Sequence, residues 1–338
     1  MHIDIIIGNP PYQEQDGGGG IVKSSQPLYN KFILELVKLY PRYISMIIPS
    51  RWLNGGKSSL EEFRYKMISS NHIRKIVTYD KCWDVFDNVD IAGGILYFLY
   101  DNENTYTECE VTNIIDGNKQ VLKRRLRDYN YIDTNGDVQY IVISDNRAIS
   151  IIEKVRLNRN SFLYDIVNPR NTFGLSSFFS DADIQDNIKQ VKVICSNGRV
   201  TYTNIDNITD TGNIIHRYKV ICAKINPDRG GNNNSDSYNV ISKPMILGPN
   251  EVCTETYLVL NTFETKQEAD NFIHYISTKL ARFLIYTTLS GINITRKNYL
   301  FIPIEDYSEK WDDLKTNNLY ELDKSDISYI DHKIKQWI

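Results

Sequence analysis

Asp4-Ile5-Ile6-Ile7-Gly8-Asn9-Pro10-Pro11-Tyr12 is the stretch from which the rest of the chain reads. The apolar residues Ile3, Ile5, Ile6 and Ile7 read as a buried strand, and it ends at once in Asn-Pro-Pro-Tyr. Pro10 keeps Asn9 out of the helical region, and neither proline carries an N–H. The corner therefore offers acceptors with few competing donors: the Asn9 side-chain carbonyl and the backbone carbonyls of Asn9 and Pro10. Tyr12 adds an aromatic face beside them. These residue types suit a planar group that donates two hydrogens from an amine, and an adenine drawn out of a DNA stack has that form. Alone, Pro-Pro-Tyr is equally a polyproline docking peptide or a plain loop. Its place after a strand, at the edge of an α/β sheet where ligands sit, favours the site.

Working outward, residues 13–27 are polar and hold Gly17 to Gly20, a loop expected to order over bound DNA. Leu28, Phe32, Leu36 and Leu39 recur at helical spacing and predict a helix over 27–40. Tyr43 to Ile48 reads as a strand closed by Pro49, 59–70 as a helix, and Ile73 to Tyr79 and Gly93 to Tyr100 as strands. This order is that of the second half of a doubly wound sheet, ending in an antiparallel hairpin. Gly56-Lys57-Ser58 is a tempting phosphate loop, but a P-loop needs glycine where Arg51 stands, so nucleotide hydrolysis is rejected. Arg51 follows a strand on the same edge as Asn9 and is placed to touch a phosphate. Lys57, in the same loop, is a second candidate beside the plainer reading of a solvated charge. Phe86 is either an aromatic wall opposite Tyr12 or a core residue.

Composition sets limits. The 338 residues suffice for two domains with real cores. A net charge of −3 excludes a uniformly basic nucleic-acid binder, so any DNA contact must come from local Lys and Arg patches. Five cysteines without a C-x-x-C pair or a spaced histidine argue against structural zinc or a disulfide framework, and suit a reducing cytoplasm. The sequence holds no apolar run long enough to span a bilayer.

Asn9-Pro10-Pro11-Tyr12, Leu28-Tyr29-x-x-Phe32, Ile47-Ile48-Pro49-Ser50-Arg51-Trp52-Leu53, Val85-Phe86 and Gly94-Ile95-Leu96-Tyr97-Phe98 occur in this order. In order and spacing they resemble the gamma-class (NPPY) N6-adenine DNA methyltransferases of type II and IIG restriction–modification systems. The resemblance covers the first hundred residues. It implies that Asn9 and Pro10 hold the target amine, that Tyr12 stacks on the flipped adenine, and that Phe86 packs against the base. Pro11 completes the corner, and Asn9 and Pro11 are taken to border S-adenosylmethionine, the cofactor the resemblance implies. The glycine loop and acidic residue that bind that cofactor in the family precede the NPPY strand and have no counterpart here. Gly93-Gly94 falls inside a predicted strand and Gly230-Gly231 in an Asn-rich loop. The NPPY strand is therefore expected to be an unpaired, apolar edge. A partner chain or a missing N-terminal segment would complete it.

The expected fold is α/β: a partial Rossmann-like methyltransferase sheet in 1–102, then a mixed α+β target-recognition domain in 103–338. In the second part Lys123, Arg124 and Arg125 lie in a basic run that tracks phosphate or is simply a solvated face. Arg229 sits in an Asn-rich loop suited either to reading base edges or to turn chemistry. A long helix is predicted over Glu268 to Leu284, with Arg282 off its apolar stripe; Arg296 and Lys297 precede Phe301-Ile302-Pro303. Thr278 to Leu284, that tripeptide and Trp311-Asp312-Asp313 resemble the tails of the same enzymes. Arg282, Arg296 and Lys297 are accordingly counted with the DNA contacts, and double-stranded DNA is the expected partner. A non-catalytic DNA-recognition module is the rival reading. An endonuclease subunit ranks below both, because no P-D-x(n)-E-x-K cluster is evident.

Overall fold

The computed structural model describes residues 3–337 apart from 16–24, 57, 87–90, 92, 116, 181–189, 211 and 229–236. The expected glycine loop, Lys57 and Arg229 lie outside the described residues. Two compact units divide the chain, 1–150 and 151–338.

The first unit contains β1 (Ile5–Gly8), β2 (Gln13–Gln15), β3 (Ser25–Pro27), α1 (Tyr29–Lys38), β4 (Tyr43–Pro49), α2 (Ser58–Ser69), β5 (Ile73–Tyr79) and β6 (Ile95–Asp101). It continues through β7 (Cys109–Ile115), β8 (Asn118–Arg124), β9 (Asn130–Ile132), β10 (Val138–Tyr140) and α3 (Asn146–Arg156), within which the boundary falls. Six strands make one sheet in the order β1-β4-β6-β5-β7-β8. β1 runs parallel to β4, and β6 is antiparallel to both β4 and β5, so β4 and β5 point the same way. β7 is parallel to β5 and β8 returns against it. The sheet thus extends past residue 102, because β7 adds to the free side of β5.

One sheet face forms the core. Ile44, Met46 and Ile48 of β4 meet Leu96, Phe98 and Tyr100 of β6, roofed by Tyr29 and Ile33 of α1 and Leu60, Phe63 and Met67 of α2. The predicted stripe of α1 is rotated. Phe32 and Leu39 are exposed, and the helix turns Tyr29 and Ile33 inward instead. Both sets have helical spacing, so periodicity alone could not choose between them.

Gly93-Gly94 is not part of a strand. Both have left-handed φ, +89° and +78°, and β6 starts at Ile95. A Cβ at Gly94 would collide with the Tyr79 carbonyl oxygen, so the glycine permits one backbone to cross close over another.

The second unit holds α4 (Leu163–Ile166), β11 (Gln190–Ile194), β12 (Val200–Asn204), β13 (Tyr218–Ala223), β14 (Met245–Leu247), β15 (Glu251–Cys253), β16 (Tyr257–Phe263), α5 (Lys266–Ser277), α6 (Lys279–Thr287), α7 (Asp313–Leu319) and α8 (Lys324–Lys333). Its strands form two sheets, β12-β11-β15 and β14-β13-β16. The predicted long helix is broken at Thr278, whose ψ of 152° leaves the helical region. The Thr278 hydroxyl donates to the Tyr275 carbonyl and accepts from Ala281 N–H, ending α5 and capping α6. Among the described residues no helix is long and apolar enough to cross a membrane.

Candidate active site

The parallel pairing of β1 and β4 places Gly8 opposite Met46, so both strands deliver their carboxyl ends to one edge of the sheet. Asn9 and Pro11 are exposed there, while Pro10 and Tyr12 are half-buried. The corner is tied down on its return path. The Tyr12 carbonyl accepts from Leu28 N–H at 3.1 Å, and β2 pairs with β3 beyond it. Tyr12 also packs with Ile6 against the core. Burial raises the Tyr12 phenol above its ordinary pKa, and the neighbouring Asn9 side chain partly offsets the rise. The hydroxyl is buried without a partner at hydrogen-bonding geometry, so Asn9 is beside it but not committed to it.

Arg51 leaves β4 on the same edge. It lies in the short 3₁₀ turn Ser50–Leu53, exposed between buried Ser50 and Trp52. That turn is held from below by a residue sequence reasoning missed. Arg64 of α2, 1% exposed, donates to the carbonyls of Trp52 at 2.9 Å and Gly55 at 3.1 Å. Its signal was one charge set among Leu60, Phe63 and Met67 on the inward face of a helix. Ser50 was missed too. Its N–H donates to the Gly94 carbonyl at 3.0 Å and its hydroxyl to that of Gly93, clamping the approach to β6 onto the end of β4.

Phe86 stands on the loop from β5, which opens on this edge as well. It is half-buried, and its N–H donates to the Cys82 carbonyl at 2.9 Å. In the sheet order β5 is three strands from β1, roughly 14 Å at the usual spacing. Asn9, Tyr12 and Arg51 therefore follow two adjacent strands, and Phe86 shares their edge from a strand farther away.

The basic residues scatter. Lys123 and Arg124 pair with Glu110 and Cys109 at the start of β7, the end of the sheet opposite Asn9. Lys123 is exposed, and Arg125 pairs with Asp128 at 3.3 Å. A cavity of about 160 Å³ lies at this far end, lined by Ile73, Tyr106, Cys109, Arg125 and Arg127 among others, and is separate from the Asn9 corner. Arg124 is buried and gives its guanidinium to the Ile143 carbonyl, so it is not presented to phosphate. Arg282 is likewise interior, 1% exposed. The break at Thr278 frees the Ser277 carbonyl, which takes the Arg282 Nε–H at 3.0 Å, while the guanidinium lies 4.3 Å from the Trp337 ring centre. Burial lowers its pKa to about 10. Arg296 and Lys297 are half-buried, Arg296 spanning the carbonyls of Tyr164 and Asp165.

Residues 1–86 match the Eco57I restriction-modification methylase family. A Mycoplasma pneumoniae protein described as an uncharacterized adenine-specific methylase is 34% identical over 102 residues. Those residues are 30% of this chain and 24% of that protein, so the chain matches about a quarter of its relative. Among solved structures, the type IIL restriction–modification enzyme MmeI in complex with DNA is similar over 88% of this chain and 45% of its own, at 11% identity and a TM-score of 0.43. The type IIG restriction endonuclease BpuSI is similar over 89% and 44%, at 13% identity and a TM-score of 0.32. The sequence similarity is thus to methylases of restriction–modification systems, and the family match lies in the segment that builds the Asn9 corner.

Such methylases imply S-adenosylmethionine. The described residues fit one wall of a site for it. Asn9 and Pro11 are open at the end of β1, and among the described residues β1 pairs with β4 alone. Its outward side chains Ile5 and Ile7 are 61% and 75% exposed. β1 is therefore not the buried strand that its apolar run suggests: Ile6 packs on the core, and the face that carries Ile5 and Ile7 is open.

Proposed function

We propose that this chain carries the catalytic corner and the target-recognition part of a site-specific adenine-N6 DNA methyltransferase of a restriction–modification system. The observation that carries the reading is the placement of Asn9-Pro10-Pro11-Tyr12. It sits at the carboxyl end of the outermost strand, with Asn9 and Pro11 open to solvent, inside the segment that matches a methylase family.

An adenine amine is a poor nucleophile because its lone pair is delocalised into the ring. The flipped base donates its two N6 hydrogens to Asn9 Oδ1 and the Pro10 carbonyl, and accepting both localises the lone pair on N6. The Tyr12 ring stacks on the base, and Phe86, from the same sheet edge, packs against it. S-adenosylmethionine, when bound, supplies a sulfonium-activated methyl group. Asn9 and Pro11 would border it, and the other walls would come across the free edge of β1, from a separate chain or an upstream segment. Arg51 holds a phosphate beside the target, with Arg296 and Lys297 as contacts of the second unit.

The test is transfer of a tritiated methyl group from S-adenosylmethionine to duplex DNA, by this chain with and without a polypeptide carrying a Gly-rich cofactor half. Transfer is expected with the second polypeptide. Asn9→Ala should lower it about 10²–10³-fold and leave DNA binding within about twofold. Transfer indifferent to Asn9→Ala, or none in any combination, removes the enzyme reading and leaves a recognition module.

A further inference from the structure

Phe178 is 92% exposed, more than any other large apolar side chain described. It does not stand on a slack loop. Its neighbour Phe179 packs against the core of the second unit, beside buried Phe173 and Leu175. Ser177 N–H donates to Glu255 Oε1 at 3.2 Å, Phe179 N–H to the Ser176 carbonyl at 3.1 Å, and Glu255 N–H to the Leu175 carbonyl at 2.8 Å. Gly174 opens this turn at φ +74°, where a Cβ would come within 2.7 Å of Thr209 Oγ1. The backbone on either side of Phe178 is therefore fixed, and the ring is held out in water.

Cations flank it. Arg170 donates to the other oxygen of the same Glu255 carboxylate at 2.8 Å, with its side chain 72% exposed. Exposed Arg199 donates to the Phe179 carbonyl at 2.6 Å, one residue past Phe178 in the chain. Lys224 lies within the field of both Arg170 and Glu255. Two cations, Arg170 and Lys224, thus act on one carboxylate, and that carboxylate is committed to Ser177 and Arg170.

The geometry points to Phe178 as a wedge that enters the DNA stack, with Arg170 and Arg199 holding the phosphates on either side. An exposed aromatic on a turn held by two guanidinium groups suits a polyanion with stacked apolar planes, and a wedge opens a base step at the cost of unstacking it. The inference rests on the proposal that duplex DNA is the substrate, and it adds an aromatic of the second unit that enters the base stack.

The full chain is titrated with a labelled mixed-sequence duplex and with the same duplex carrying one abasic site. A wedge favours the site where unstacking is already done, so the natural chain should bind the abasic duplex about five- to tenfold tighter. Phe178→Ala should reduce that preference below about twofold and change affinity for the intact duplex less than about threefold. Phe178→Trp should keep the preference, with its fluorescence quenched by DNA. If the natural chain binds DNA but Phe178→Ala keeps the preference, or Phe178→Trp is not quenched, the wedge is refuted and the DNA reading stands. If Phe178→Ala instead abolishes self-association in sedimentation, the ring is a contact between copies and the wedge is refuted. No DNA binding by the natural chain overturns both readings.

Discussion

The Arg64 guanidinium reaches from the inward face of α2 to the Trp52 carbonyl at 2.9 Å, directly beneath the turn that exposes Arg51. A buried cation is tolerated here because two carbonyls face it; burial still lowers its pKa. Arg64→Leu leaves the Trp52 and Gly55 carbonyls without their donor and should cost about 2–4 kcal/mol, read as a lower denaturation midpoint. Arg64→Lys should recover part of that loss.

Gly94 and the Tyr79 carbonyl set a second constraint. Gly94→Ala meets both a left-handed φ and a backbone oxygen, and should destabilise the first unit by about 2–4 kcal/mol. Gly136→Ala is the matching control: its φ is +86°, but a Cβ there meets nothing within 4 Å. It should cost only about 1–2 kcal/mol. Equal losses in the two variants would refute the crowding argument.

The open strand β1 yields a separable effect. Ile7→Lys puts a charge on an edge residue that is 75% exposed, so stability should change by no more than about 0.5 kcal/mol. Co-purification with a cofactor-half polypeptide should be lost in the same variant. An Ile7→Lys chain that still assembles would show that the partner does not cover this face of β1.

Asp323 gives a pH dependence with a definite sign. The Asp326 backbone N–H and then Lys154 hold its carboxyl down to about 2. A carboxylate whose folded pKa lies below its unfolded value of about 3.9 contributes stability that is complete above about pH 4. That contribution is lost as pH falls from about 4 to 2. Asp323→Asn keeps a capping side chain on α8 but removes the titrating group, so thermal melts of the variant should vary less with pH across that window.

Much of the first unit was legible because its signals are local. The strand before Asn9, the strand at Tyr43, α2 and β5 follow from short-range periodicity and from prolines that forbid continuation. The Asn-Pro-Pro-Tyr corner was legible for the same reason, since two prolines in a row dictate donors and backbone without help from the rest of the chain.

Other features belong to partners distant in the sequence. Which stripe of α1 turns inward depends on β4 and α2, so Ile33 is buried and Phe32 is not. Thr278 divides a helix that apolar spacing alone runs straight through, and the carbonyl it frees draws Arg282 inside. Lys219 is fully buried because the carbonyls of Ile215, Arg217 and Gly248 converge on its ammonium. The sequence alone therefore determined the strand, its stop and the acceptor-rich corner. The tertiary structure alone decided which cations are spent on the interior and which aromatic ring is held in water. Burial is settled by what packs opposite a side chain, and that neighbour comes from a remote part of the chain.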